Sequence, residues 1–107
     1  MKIAITVPAS AIPHSGNQHT AARWARFLRE LGHRVRIVKE WRRGHDDLLL
    51  ALHARKSAHS IQRFADLKPS APIVLALTGT DLYRDIRTSP EARMSLGLAA
   101  RLIVLQE

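Results

Sequence analysis

The sequence predicts an α/β domain: a Rossmann-like, mainly parallel sheet with helices on both faces. Three observations carry that reading. Strand-like and helix-like segments follow one another in the order β-α-β-β-α-β-α-β. The later strands are near-continuous apolar runs, Leu48 to Leu52 and Ile73 to Leu77, as expected of strands covered on both faces. No internal repeat, low-complexity tract or linker divides the 107 residues, so one domain is expected.

Each element has its own signal. Lys2 to Val7 is rich in Ile and Val and is stopped by Pro8, and the stretch to Asn17 has the prolines, serines and glycine of a loop. From Gln18 to Leu31, Ala21, Trp24, Ala25, Leu28 and Leu31 recur at helical spacing, with Arg23, Arg26, Arg29 and Glu30 on the opposite arc. Gly32 follows as a helix-ending residue. Arg34 to Val38 alternates basic and apolar residues, placing Val35 and Ile37 on one strand face, and Trp41 to His45 reads as a loop. Beyond the strand Leu48 to Leu52, Ala54, Ala58, Ile61 and Ala65 form a small-residue helix face, and Pro69 and Pro72 end that helix near Leu67. Ser89-Pro90-Glu91 combines a capping hydroxyl, a proline at the first helical position and an acid in the first turn, predicting a helix over 90–98. Arg101 to Leu105 is the last strand.

Composition bounds the function. Without cysteine there is no disulfide framework and no thiolate metal cluster. The start offers too few apolar residues before Pro8 for a signal segment, and no apolar run approaches the roughly 18 residues of a membrane span. A cytoplasmic protein without a membrane partner is expected. The formal net charge of +8 is concentrated: Arg23 to Arg43 holds eight basic and two acidic residues. Such a patch attracts nucleic acid, an anionic surface or a phosphorylated small molecule alike, and it is equally the solvated face of a helix plus an arginine-rich loop.

The strand Ile73 to Leu77 runs into Thr78-Gly79-Thr80-Asp81, which offers hydroxyls, a flexible backbone and a carboxylate at the carboxyl end of a buried strand. Open α/β sheets bind ligands at that edge. Several familiar sites are missing. Ser15-Gly16-Asn17 is no Gly-x-Gly-x-x-Gly, so a dinucleotide is not expected. The first strand lacks the acidic pair of a phosphoacceptor receiver, and no Walker lysine follows a glycine-rich loop.

Ser15-Gly16-Asn17 before a long helix, and Gly32-His33-Arg34-Val35 leading into the second strand, resemble the opening of nucleotide-sugar glycosyltransferases of the GT-B fold. With the segments 48–58 (LLLALHARKSA), 77–85 (LTGTDLYRD) and 100–106 (ARLIVLQ), nearly the whole chain resembles the selenosugar synthase family of selenoneine biosynthesis. The resemblance implies the amino-terminal, acceptor-side half of a two-domain enzyme. That enzyme would transfer the sugar of a UDP-hexose or UDP-N-acetylhexosamine to selenophosphate. The carboxyl-terminal domain, which grips the nucleotide in such enzymes, is not within these residues, so the chain alone is expected to be inactive. No cofactor and no metal are implied.

An anionic acceptor that already carries a strong nucleophile needs anchors and orientation more than a base. Arg55, Lys56 and Arg84 are the candidate anchors, as a guanidinium presents a planar fork to phosphoryl oxygens and an ammonium a point charge. His53 either donates to a bound anion or caps the sheet edge. Ser15, Gly16 and Asn17 introduce a helix whose free N–H groups favour a phosphate or pyrophosphate. Thr78, Gly79 and Thr80 are candidate substrate contacts, and Asp81 would bind sugar hydroxyls or orient Arg84; Asp81 and Arg84 are the residues expected to matter for catalysis. His14, His19, His45 and His59 lack metal-ligand spacing with acids. Two other classes stand beside this reading. A nucleic-acid module would use the Arg23 to Arg43 patch, though few aromatics are available for stacking. A regulatory domain would leave its cleft unused.

Overall fold

A computed structural model describes residues 1–7, 16–77 and 89–104, with the backbone alone at 16, 17 and 104. Its elements are β1 (Lys2–Thr6), α1 (Gly16–Glu30), β2 (Arg34–Val38), β3 (Leu48–Leu52), α2 (Ala58–Leu67), β4 (Ile73–Leu77), α3 (Pro90–Leu98) and β5 (Arg101–Val104). The expected boundaries hold within two residues wherever the residues are described.

The five strands form one sheet in the order β2-β1-β3-β4-β5, and every pairing is parallel. β1 is an interior strand, second from the β2 edge: Ile5 pairs with Ile37 on one side and with Leu50 on the other. After β1 the chain goes one way to β2, and after β2 it returns across β1 to β3. The gap between the carboxyl ends of β1 and β3 is thus the topological switch point, where loops diverge and leave a crevice.

Strand alternation splits the core into two layers. Ile3, Ile5, Val7, Leu50, Leu52 and Ala76 pack with Ala21 and Ala25 of α1, while Ala4, Leu49, Ala51, Leu75 and Leu77 pack beneath α2 and α3. Gly32 ends α1 at φ +97°, a left-handed conformation that suits glycine.

Three residues depart from the expected packing. Trp24 is only half-buried, and Leu31, on the predicted apolar arc, is 73% exposed because it falls at the last turn beyond the sheet. The fully buried tryptophan is Trp41, from the segment read as a loop. Its ring meets Phe64 edge-to-face, with centroids 4.9 Å apart, its backbone N–H donates to Ser60 Oγ (2.9 Å), and Nε1–H donates to Asp46 Oδ2 (2.9 Å). Arg36 Nη2 bonds the same carboxylate oxygen at 2.6 Å. Gly44 lies against this pair: a Cβ there would sit 2.5 Å from Arg36 Nη2 and 2.7 Å from Asp46 Oδ2, so no side chain fits without moving them.

Candidate functional site at the carboxyl edge

β3 delivers the chain to the switch point, and His53 is the first residue beyond it. A sharp turn is needed there for the backbone to leave the sheet and enter α2. His53 supplies it in the left-handed region, at φ +76°, an unusual conformation for a residue with a Cβ. The turn is tied on every side. His53 N–H donates to Ala76 O (3.2 Å), its carbonyl accepts from Ser57 N–H (3.0 Å), and Ser57 Oγ donates to Leu52 O (2.5 Å). Ser95 of α3 adds a cross-brace, donating from Oγ to Ala54 O (2.7 Å). These buried serines were not singled out in the sequence, because a serine's partners are long-range and leave no local pattern.

The imidazole is buried, and its Nδ1 accepts from Lys56 N–H at 3.2 Å. In that geometry the proton of the neutral ring sits on Nε2. Arg55 and Lys56, the next two cations, are exposed in the turn before α2. The positive field of Arg55 reaches Glu91 in the first turn of α3. The Glu91 carboxyl lies below its ordinary range, first through hydrogen bonding to its own backbone and then through Ser89.

On the β1 side, α1 begins at Gly16, with Asn17 in its first turn and no acidic residue there. The first turn of α1 and the positive end of the helix dipole belong to the same edge of the sheet as His53, because α1 runs back against the strand direction. Gly16, Asn17, His53, Arg55 and Lys56 are therefore served by neighbouring strand ends. β4 ends at Leu77, next to β3. Ser15, Thr78, Gly79, Thr80, Asp81 and Arg84 lie outside the described residues, as does His14.

No known family profile matches the chain, and no curated protein is similar to it. The chemistry rests on the residues themselves. Among the described residues, no three His, Asp or Glu side chains converge as a metal site would require. Among the described residues, no helix is long and apolar enough to cross a membrane.

Several cations of the basic segment are engaged within the fold. Arg36 is engaged with Asp46 and also donates to Arg43 O (2.9 Å), Arg29 donates to Val35 O (2.8 Å), and Arg42 stands 3.7 Å from Glu40. Burial pushes the Asp46 carboxyl up, but hydrogen bonds from Arg36 and Trp41 outweigh it and leave the group below its usual range. Arg23 and Arg26 line an open groove of about 840 Å³ on the outer side of α1, with His19, Ala22, Arg29 and Glu30. That groove runs along one helix flank and is not the crevice at the strand ends.

Proposed function

We propose that the chain is the amino-terminal, acceptor-side domain of a GT-B glycosyltransferase that moves a sugar from a UDP-sugar to selenophosphate. The observation that carries this reading is the His53 to Lys56 turn: a braced backbone that holds a buried imidazole and two exposed cations at the switch point of a parallel sheet. Beside it stand the sequence segments that resemble selenosugar synthases, one of which contains this turn.

Bond changes follow from the reactants. Selenium attacks the anomeric carbon, the bond from that carbon to the diphosphate oxygen breaks, and UDP departs with the electron pair. Hydrolysis of the phosphorus–selenium bond then frees the selenosugar. Arg55 and Lys56 would hold the phosphoryl oxygens by charge-assisted hydrogen bonds, and the Nε2–H of His53 would orient them. The first-turn N–H groups at Gly16 and Asn17 would face the donor diphosphate across the crevice. Asp81 and Arg84, which follow β4 in the sequence, are the further residues this reading assigns to the acceptor. The nucleotide would be gripped by a second domain.

The test is a transfer assay on the polypeptide encoded by the whole reading frame, with selenophosphate and UDP-N-acetylglucosamine or UDP-glucose. UDP release coupled to formation of a carbon–selenium bond is the expected result. UDP release that is unchanged when selenophosphate is omitted would exclude selenophosphate as the acceptor.

A further inference from the structure

Two cations at the amino-terminal edge of the sheet are set against each other. Lys2 of β1 and Arg34 of β2 are register partners, and Arg36 follows two residues further along β2. Lys2 shares the face of Ala4, and Arg34 that of Arg36, opposite Ile3 and Val35, which pack on the α1-side core. Like charges at opposed strand positions repel, so the arrangement costs stability unless something negative lies between them. Among the described residues neither Lys2 nor Arg34 has an ion-pair partner.

With Val35, Arg36, His45 and Asp46 these two cations border a cleft of about 270 Å³. Its wall is braced. Trp41 is buried against Phe64, Asp46 accepts from the indole and from Arg36, Arg36 also donates to Arg43 O, and Arg63 of α2 donates to Arg42 O, so the loop that carries His45 is held from several elements. Among the described residues Asp46 is the one carboxylate lining the cleft, and it is already committed to Arg36 and Trp41. The neighbouring Asp47 accepts from the Lys2 backbone N–H at 2.8 Å. None of this bracing serves the carboxyl edge: Asp46 and Asp47 precede β3 and His53 follows it, a strand length of roughly 13 Å away.

We infer that this cleft is a second anion site, separate from the His53 turn, and that it takes a phosphoryl dianion, either free phosphate or the phosphate of a small ester. Lys2 and Arg34 would grip the phosphoryl oxygens, the guanidinium by its planar fork, and the His45 ring would add an N–H donor. A doubly charged group offsets both opposed cations, whereas a carboxylate offsets one. At about 270 Å³ the cleft is smaller than the roughly 300 to 1,000 Å³ of sites that enclose drug-sized ligands, so a single phosphoryl group with a small remainder fits. A nucleic acid would need a continuous track of cations, but Arg23 and Arg26 lie beyond α1, which covers the other face of the sheet.

The test is a titration of the ¹⁵N-labelled chain with inorganic phosphate, glycerol 3-phosphate and acetate at constant ionic strength, followed through the amide resonances. Phosphate and the ester should shift the amides of Lys2, Arg34 and His45 saturably, and acetate should not. Tighter binding of the ester would assign the site to a phosphorylated small molecule, and equal binding to phosphate itself. Lys2→Gln with Arg34→Gln should weaken binding at least about tenfold, and in phosphate-free buffer it should leave the chain at least as stable in urea, because the opposed charges are gone. His45→Gln, on a different element, should weaken binding at least about threefold. Arg55→Gln with Lys56→Gln should leave these shifts unchanged, which separates this site from the proposed acceptor edge. Shifts confined to residues 53–56, shifts that acetate reproduces, a DNA duplex that binds more tightly than the ester, or equal affinity of wild type, Lys2→Gln with Arg34→Gln, and His45→Gln would each overturn the proposal.

Discussion

Asp46 holds together a segment that has no regular structure of its own. It accepts from Trp41 and Arg36 at once, so replacing it by Ala strands a buried indole N–H and releases a guanidinium. The expected cost is about 2 to 3 kcal/mol at pH 7, taken from the penalty for an unsatisfied buried donor and discounted for the half-exposed arginine. Because the folded carboxyl lies below its unfolded value, its contribution is fully present above that value, near pH 4, and fades as pH falls through the folded one. Urea unfolding at pH 7 and pH 3 should thus separate wild type from Asp46→Ala at the first pH and bring them closer at the second. His53 makes a different prediction. At φ +76° a glycine relieves strain that an alanine retains, so His53→Gly should be more stable than His53→Ala by roughly 1 kcal/mol in thermal or urea melts, although both lose the imidazole. Residue-level detail was the least legible part of the sequence. Trp24 sits in a clear helical pattern yet is half-buried, whereas Trp41 sits in an arginine-rich loop and is the core anchor, since its partners Ser60, Phe64 and Asp46 come together only in three dimensions.

Elements were far more legible, because their signals are local. Ser89 acts as the predicted cap, accepting from Ala92 N–H at 3.2 Å while donating to Glu91 at 3.0 Å. Ser89→Ala should cost about 1 kcal/mol, as measured by the urea midpoint, and a near-zero change would mean that Pro90 alone fixes the start of α3. On α1, Arg26 is exposed and serves no strand, so Arg26→Gln should change stability by less than about 0.5 kcal/mol. Under the proposed function, it should also leave sugar transfer by the polypeptide of the whole reading frame intact. The β2 and β3 bounds matched because Val35 and Ile37 alternate cleanly and Leu48 to Leu52 is flanked by polar residues. The exposure of Leu31 and Ile37 escaped because amphipathic periodicity assigns a face to each residue but does not say where the sheet beneath it ends.

For the whole molecule, a parallel sheet with helices on both faces was readable from element order and apolar strands, but strand order was not. No local pattern says that β3 should lie beside β1, and that placement is what creates the crevice beside His53. The candidate site was legible in the same partial way. His53, Arg55 and Lys56 were found because they follow a buried strand, while the bracing by Ser57 and Ser95 depends on contacts across five and 41 positions. The central claim is that this edge receives an anionic acceptor. It is tested most directly by following the phosphorus resonance of selenophosphate by NMR as the chain is added. A saturable shift or broadening that is weakened at least about tenfold in Arg55→Gln with Lys56→Gln is the predicted result, since each lost charge-assisted bond is worth roughly 1.5 to 3 kcal/mol. A resonance that never responds, or one that responds equally to the wild type and the double variant, would contradict it.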